Sequence, residues 1–207
     1  MRLRKIEART EESYALLFED GTTLRCGPGE LLDHHLAPGM ELEGEAWEAL
    51  REACDYYLVR RRAAALIAQR AMSAGELRQK LREKGADPLH AERAADWLLQ
   101  LGAIDEESYA AMVVRHYAAK GYGSRRIRQE LDRHRVPREY WEAALEQLPD
   151  SGETLDDLIR KKLRTGPLEG KERKKLADAL LRRGYGWEEV RAALARNAGE
   201  RADDSGE

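Results

Sequence analysis

One phenylalanine, two cysteines and no long apolar run are what this 207-residue chain offers where many proteins carry their plainest signals. No stretch approaches the ~18 apolar residues of a membrane span, and the first residues hold no apolar signal region. A soluble cytoplasmic protein is expected. Cys26 and Cys54 are too few for a disulfide framework and lack the spacing of metal ligands. No Walker-type glycine loop, no G-x-G-x-x-G after a strand and no H-E-x-x-H is present. The five histidines are scattered, and the adjacent His34 and His35 diverge by about 100° on a helix, too far to share a metal. Carboxylates are plentiful but mostly alternate with Lys and Arg, so no acid–base pair stands out. The expectation is therefore no enzyme, no cofactor and no metal.

What is abundant is charge. Charged residues make up 36% of the chain at a net charge of only -3. The balance is uneven: residues 1–50 carry 5 basic and 11 acidic groups, whereas residues 51–196 carry 30 and 24. Such a charge fraction suits thin, exposed helical modules better than one thick core. An acidic flank on a mildly basic body permits contact with nucleic acid or an acidic protein.

Ser124 to Leu131, SRRIRQEL, organises the reading. Ser124 can cap a helix, Ile127 and Leu131 share a face, and Arg125, Arg126 and Arg128 must point toward water or a polyanion. The pattern recurs at Ser73 to Leu81, with Leu77 and Leu81, and at Lys171 to Leu180, with Leu176 and Leu180. Each copy is followed by a break, at Lys84-Gly85, Arg135-Val136-Pro137 and Arg183-Gly184, and then by a further helical segment. A period near fifty with helical spacing on both sides of a break marks a repeat array.

The chain then divides as follows. Residues 1–54 form an extension with three short antiparallel strands near 2–9, 13–19 and 22–27, the last two joined by an Asp20-Gly21 hairpin turn. Leu31, Leu32 and Leu36 supply a turn of apolar cover. A helix follows from Glu45 to about Ala71, with Trp47, Leu50, Cys54, Leu58 and Leu66/Ile67 as its apolar set and a break expected near Ala53 to Tyr56. Three-helix modules occupy 55–103, 104–150 and 151–196, and 197–207 is an acidic, disordered tail. In the first module Ser73 and Glu76 form a capping box, Gly85 ends the helix, and Asp87-Pro88 opens the next. In the second, Asp105 caps a helix that turns Tyr109, Met112, Val113 and Tyr117 inward. Pro149 to Gly152 is a linker, and a Thr165-Gly166-Pro167 loop lies in the third module. Gly121-Tyr122-Gly123 and Gly184-Tyr185-Gly186 read as helix ends and tight turns; their tyrosines can stack on a base or pack under the module, and packing is the favoured reading.

The basic helices are the candidate site. Arg78, Lys80, Arg82 and Lys84 lie on one, Arg125, Arg126, Arg128 and Arg133 on the next, and Lys171, Arg173, Lys174, Lys175, Arg182 and Arg183 on the third. A stepped cationic stripe would attract phosphates in a salt-dependent way. The rival account pairs these cations with Glu76, Glu83, Glu130, Asp132, Glu172 and Asp178 as ordinary surface ion pairs. A stand-alone DNA-binding protein of helix-turn-helix type, with SRRIRQEL as the recognition helix, is the alternative function; a purely structural scaffold is a third.

Three motifs carry a resemblance. They are Ser73-x-x-Glu76-Leu77-x-x-Lys80-Leu81-x-x-Lys84-Gly85, Leu101-Gly102-x-Ile104-Asp105-x-x-x-Tyr109-Ala110, and Lys120-Gly121-Tyr122-Gly123-x-x-Arg126-Ile127-x-x-Glu130-Leu131. In this order and spacing the chain resembles the bacterial RecX regulatory proteins, modulators of the recombinase RecA, over roughly residues 55–196. It departs from the pattern at Arg135, where the family usually has glycine. The resemblance implies a mainly α fold of tandem three-helix modules in an elongated, curved array, preceded by a small antiparallel sheet. It implies binding to the RecA–single-stranded DNA filament and inhibition of its growth, ATP hydrolysis, strand exchange and co-protease function; a monomer is expected. It thereby places the chain in homologous recombination, DNA repair and the SOS response. Single-stranded DNA is a candidate direct contact, and no catalytic residue or cofactor is implied. Arg78, Lys80, Arg82, Lys84, Arg125, Arg126 and Arg128 are the expected contact residues.

Overall fold

The computed structural model describes residues 1–148, 150–163 and 170–203. Pro149 of the expected linker, the expected Thr165-Gly166-Pro167 loop and the last four residues of the expected tail lie outside them. The chain forms two compact units, residues 1–104 and 105–207.

The first unit opens with an antiparallel sheet in the order β1-β2-β3: β1 (Leu3–Thr10), β2 (Ser13–Phe18) and β3 (Thr23–Cys26). Ile6 pairs with Leu16, and Leu16 with Leu24, so the alternating apolar positions share one face. Gly21 makes the β2–β3 reversal at φ +87°, a conformation open to glycine at little cost. A three-stranded sheet needs cover, and it comes from α1 (Pro28–Asp33) and α2 (Gly44–Gln69). Leu3, Leu16, Phe18 and Cys26 are buried with Leu50 and Cys54 of α2, and Trp47 meets Phe18 edge-on at 5.0 Å. Leu31 and Leu36 join this core, whereas Leu32 is 73% exposed and supplies no cover.

The break expected near Ala53 to Tyr56 is absent: α2 runs unbroken for 26 residues. Sharp kinks need Pro, Gly or an inserted group, and the segment has no Pro or Gly to supply one. Leu50, Cys54 and Tyr57 face the sheet side while Val59 and Ala63 are buried further on, so one helix serves both the extension and the first module. Leu58, expected inside, is exposed. Close approach is enforced at Gly27, where an added Cβ would stand 2.7 Å from the Tyr57 ring. The Tyr57 hydroxyl donates to the Glu12 carbonyl at 2.5 Å.

α3 (Ala74–Glu83) and α4 (Pro88–Gln100) complete the first module. Ser73 Oγ accepts the Glu76 N–H at 3.0 Å, and Asp87 Oδ1 accepts the Leu89 N–H at 2.8 Å, as the capping residues predict. Leu77 and Leu81 are fully buried among Ala74, Ala91, Ala94, Ala95 and Leu98.

In the second unit, α5 (Glu106–Ala119) and α6 (Ser124–Arg133) are followed by a 3-10 turn (Arg138–Tyr140) and α7 (Trp141–Leu145). Pro137 to Leu148 is thus not one regular helix. Ile127 and Leu131 are fully buried with Val113 and Val114, whereas Met112, expected inward, is 42% exposed. The third module is α8 (Ser151–Leu163), α9 (Gly170–Arg182) and α10 (Trp187–Asp203) around Leu155, Ile159, Leu180, Tyr185 and Val190. α10 continues past Asn197, the expected start of the disordered tail. Asn197 Nδ2 donates to Asp156 at 2.7 Å and to the Ala193 carbonyl at 2.9 Å, anchoring that turn to α8.

Five of the module helices stop alike. At Gly85, Gly102, Gly121, Arg135 and Gly184 the residue is left-handed, and the next residue's N–H reaches back five positions, as Val136 does to Leu131 and Tyr185 to Leu180. Arg135 performs at φ +53° what glycine performs at the other four. No helix among the described residues is long and apolar enough to cross a membrane.

Candidate functional site

On α3 the candidate cations divide into two kinds. Arg78 lies against α4, with Nε 2.9 Å from Glu92 and a terminal nitrogen 2.8 Å from Asp96, and only 24% of its side chain is exposed. Lys80 sits 3.8 Å from Glu76, which Arg70 also grips. Arg78 thus ties α3 to α4, whereas the Lys80 pair lies within α3. Arg82 and Lys84 are exposed and have no side-chain partner among the described residues, although the Lys84 carbonyl accepts from Arg62 at 3.1 Å.

α6 repeats the division. Arg126 and Arg133 converge on Glu130 at 2.8 and 2.9 Å, and the Glu130 side chain is only 4% exposed. A buried carboxylate needs such partners, because losing them leaves an uncompensated charge. Arg133 also donates to the Tyr117 hydroxyl at 2.9 Å. Arg128 reaches Glu142 of α7 through both terminal nitrogens, at 2.6 and 3.2 Å. The hydrogen bond from Arg128 holds the Glu142 carboxyl below its ordinary range. Arg125 alone of the three expected arginines is exposed without a side-chain partner among the described residues. The seven expected contacts therefore resolve into four ion-paired residues, Arg78, Lys80, Arg126 and Arg128, and three free cations, Arg82, Lys84 and Arg125.

Ser124 does not cap α6. The N-cap is Gly123, and no side chain supplies its hydrogen bond. The partner comes from the third module instead. The Gly184 carbonyl accepts the Arg125 N–H at 3.2 Å, and the Gly123 N–H donates to the Arg183 carbonyl at 2.9 Å. This two-bond clasp joins the Gly-Tyr-Gly turns of the two modules. A Cβ on Gly184 would fall 2.4 Å from the Arg126 nitrogen, and one on Gly123 would fall 2.6 Å from the Gly184 carbonyl carbon. The glycines thus do more than end helices: they let two backbones touch. The Arg183 guanidinium completes the junction by donating to the Lys120 and Gly121 carbonyls at 3.4 and 3.5 Å.

Aromatic rings gather beside it. Tyr117 lies 5.8 Å from Tyr122 and 6.4 Å from His134, and Lys120 Nζ stands 5.1 Å from the Tyr117 ring centre. A cleft next to the clasp is bordered by Tyr122, Ser124, Thr154 and Tyr185. Burial pushes the Tyr185 phenol above its ordinary value, so it stays neutral. The duplicated Gly-Tyr-Gly, whose tyrosines can stack or pack, is the sign of this cluster in the sequence. Among the described residues, no group of His, Cys, Asp and Glu could hold a metal ion.

Comparison with known proteins accounts for the three modules together. Residues 60–98, 105–145 and 150–194 match the first, second and third three-helix domains of RecX. The chain is 40% identical over 134 residues to the regulatory protein RecX of Xanthomonas axonopodis pv. citri, covering 64% of this chain and 83% of the relative. It is 35% identical over 139 residues to that of Pseudomonas fluorescens, covering 66% and 90%. A crystal structure of regulatory protein RecX superposes with a TM-score of 0.75 over 94% of this chain and 98% of its own, at 21% identity. That of RecX from Lactobacillus salivarius gives 0.62 over 69% and 96%, at 18% identity. With all three domains matched in order, and relatives named as regulatory proteins at this identity, the chain belongs to the RecX family.

Proposed function

We propose that this chain is a non-enzymatic, cytoplasmic and monomeric regulator. In this reading it binds the RecA–single-stranded DNA filament and restrains its growth, ATP hydrolysis, strand exchange and co-protease function. The observation that carries the reading is the ordered match of three modules to a regulatory family. Supporting it are free cations on the matching helices of two modules, Arg82 and Lys84 on one and Arg125 on the other. Contacts repeated along one chain gain from effective concentration: once one module is bound, the next binds intramolecularly. Arg78 and Arg126 belong to the scaffold in this reading: Arg78 ties α3 to α4, and Arg126 compensates the buried Glu130 carboxylate.

The test is RecA ATP hydrolysis on single-stranded DNA with this protein added below one molecule per RecA protomer. Inhibition at that ratio supports filament regulation. Absence of inhibition at excess, together with tight, salt-sensitive duplex binding, transfers the lead to the helix-turn-helix alternative.

A further inference from the structure

The cleft beside the clasp has a volume of about 240 Å³. Its walls hold two tyrosines, Tyr122 and Tyr185, two hydroxyls, Ser124 and Thr154, the Glu189 carboxylate and the small Ala118. Glu189 is fixed by accepting the Gly186 N–H at 2.5 Å. Cations stand around it: the Arg126 guanidinium is 6.0 Å from the Tyr122 ring, Arg183 spans the Lys120 and Gly121 carbonyls, and Arg125 directly follows Ser124 with its side chain exposed.

From this arrangement we infer that the cleft receives one unstacked base of a single-stranded nucleic acid, with the flanking phosphates held by Arg125 and Lys120. The inference deepens the single-strand contact in the function proposed above and rests on it. The cleft is too small for a peptide helix, and an acyl chain would desolvate the Glu189 carboxylate and two hydroxyls of its wall while offering them no hydrogen bond. Aromatic rings beside a basic rim are the usual means of holding single strands, since every base has a face to stack. The carboxylate on the wall repels phosphates and accepts hydrogen bonds from base edges, so a base enters and the phosphates remain at the rim. A duplex keeps its bases stacked and cannot fill the cleft.

The binding measurement itself needs no RecA; one control variant is also read by RecA ATP hydrolysis. The full chain is titrated against a short fluorescent deoxythymidine oligonucleotide and against a duplex of equal length, with anisotropy as the readout. Ala118→Phe fills the cleft and leaves every cation in place; Tyr122→Ala removes a stacking face. Each weakens single-strand binding by about tenfold, with unchanged circular dichroism and an unchanged salt slope. Arg125→Glu lowers the slope of log K against log salt by about one. Duplex binding is the same in the wild-type chain, Ala118→Phe and Tyr122→Ala. Full single-strand affinity in a folded Ala118→Phe chain overturns the inference, as does absence of single-strand binding by the wild-type chain at low salt. If Arg125→Glu abolishes inhibition of RecA ATP hydrolysis but leaves oligonucleotide binding intact, the rim meets protein. The inference then falls while the regulatory function stands.

Discussion

Replacing Gly184 by alanine tests whether the two turns are truly interlocked. Gly184 is left-handed at φ +93°, and its added Cβ would overlap Arg126 backbone atoms at 2.4 and 3.0 Å. Left-handed backbone costs an L-residue roughly 1–2 kcal/mol. Separating the turns also forfeits two backbone hydrogen bonds, each with a net value of about 0.5–1.5 kcal/mol. The expected loss is therefore about 2–5 kcal/mol. Gly170 supplies the control: it is also left-handed, at φ +46°, but a Cβ there meets nothing within 4 Å. Gly170→Ala thus carries the conformational cost alone, about 1–2 kcal/mol. Gly123→Ala isolates the contact, since its φ of -81° suits any residue. Because Gly123→Ala and Gly184→Ala break the same clasp, the double variant loses less than the sum of the singles. Urea unfolding followed by circular dichroism measures all four. Equal losses for Gly184→Ala and Gly170→Ala, or strict additivity of the clasp pair, would refute the interlock.

Other perturbations are simpler. Arg135→Gly relieves a left-handed arginine but loosens the unfolded chain, for an expected gain of about 0.5–1 kcal/mol in the same unfolding assay. Arg128→Glu, which sets two carboxylates together at Glu142, destabilises the chain, whereas Arg125→Glu leaves its thermal midpoint nearly unchanged. The Cys54 thiol, hydrogen-bonded to Cys26 and buried, has its ionisation pushed up. Both thiols are buried, so neither reacts with a disulfide reagent at mildly alkaline pH until denaturant is added, when both react.

Most of the fold was legible because its signals are local. The strands showed by alternation and an Asp-Gly turn, α3 and α4 by Ser73 and Asp87 caps, and the repeat by Leu77/Leu81 and Ile127/Leu131, all buried. Apart from the break expected in α2, what stayed hidden shares a cause, which is partnership at a distance. Whether Leu58 and Met112 are covered depends on neighbours that helical spacing alone does not reveal. The partners of Arg78 and Arg128 are not legible locally, because Asp96 and Glu142 lie 18 and 14 residues further along the chain. Ser124 looked like a cap because the actual acceptor, the Gly184 carbonyl, belongs to the next module. The cleft was invisible for the same reason: no single stretch contains its walls.

The capping difference has a consequence for how the modules depend on one another. α3 is capped by its own Ser73, but the first turn of α6, which carries Arg125 and Arg126, takes its acceptor from the third module. A cap contributes about 1 kcal/mol to the helix it closes. A chain ending at Leu148 keeps Ile127 and Leu131 among the second module's own buried residues but loses the Gly184 carbonyl. Its α6 is expected to remain helical while the Arg125 N–H exchanges with solvent about fivefold faster or more. The Glu76 and Leu77 amides of α3 keep their protection, because Ser73 Oγ and the Ser73 carbonyl still receive them. Hydrogen exchange read by NMR separates the two helices within one sample. Equal protection of the Arg125 amide in the full and shortened chains would mean that α6 closes itself, and that the third module does not order the arginine-bearing turn.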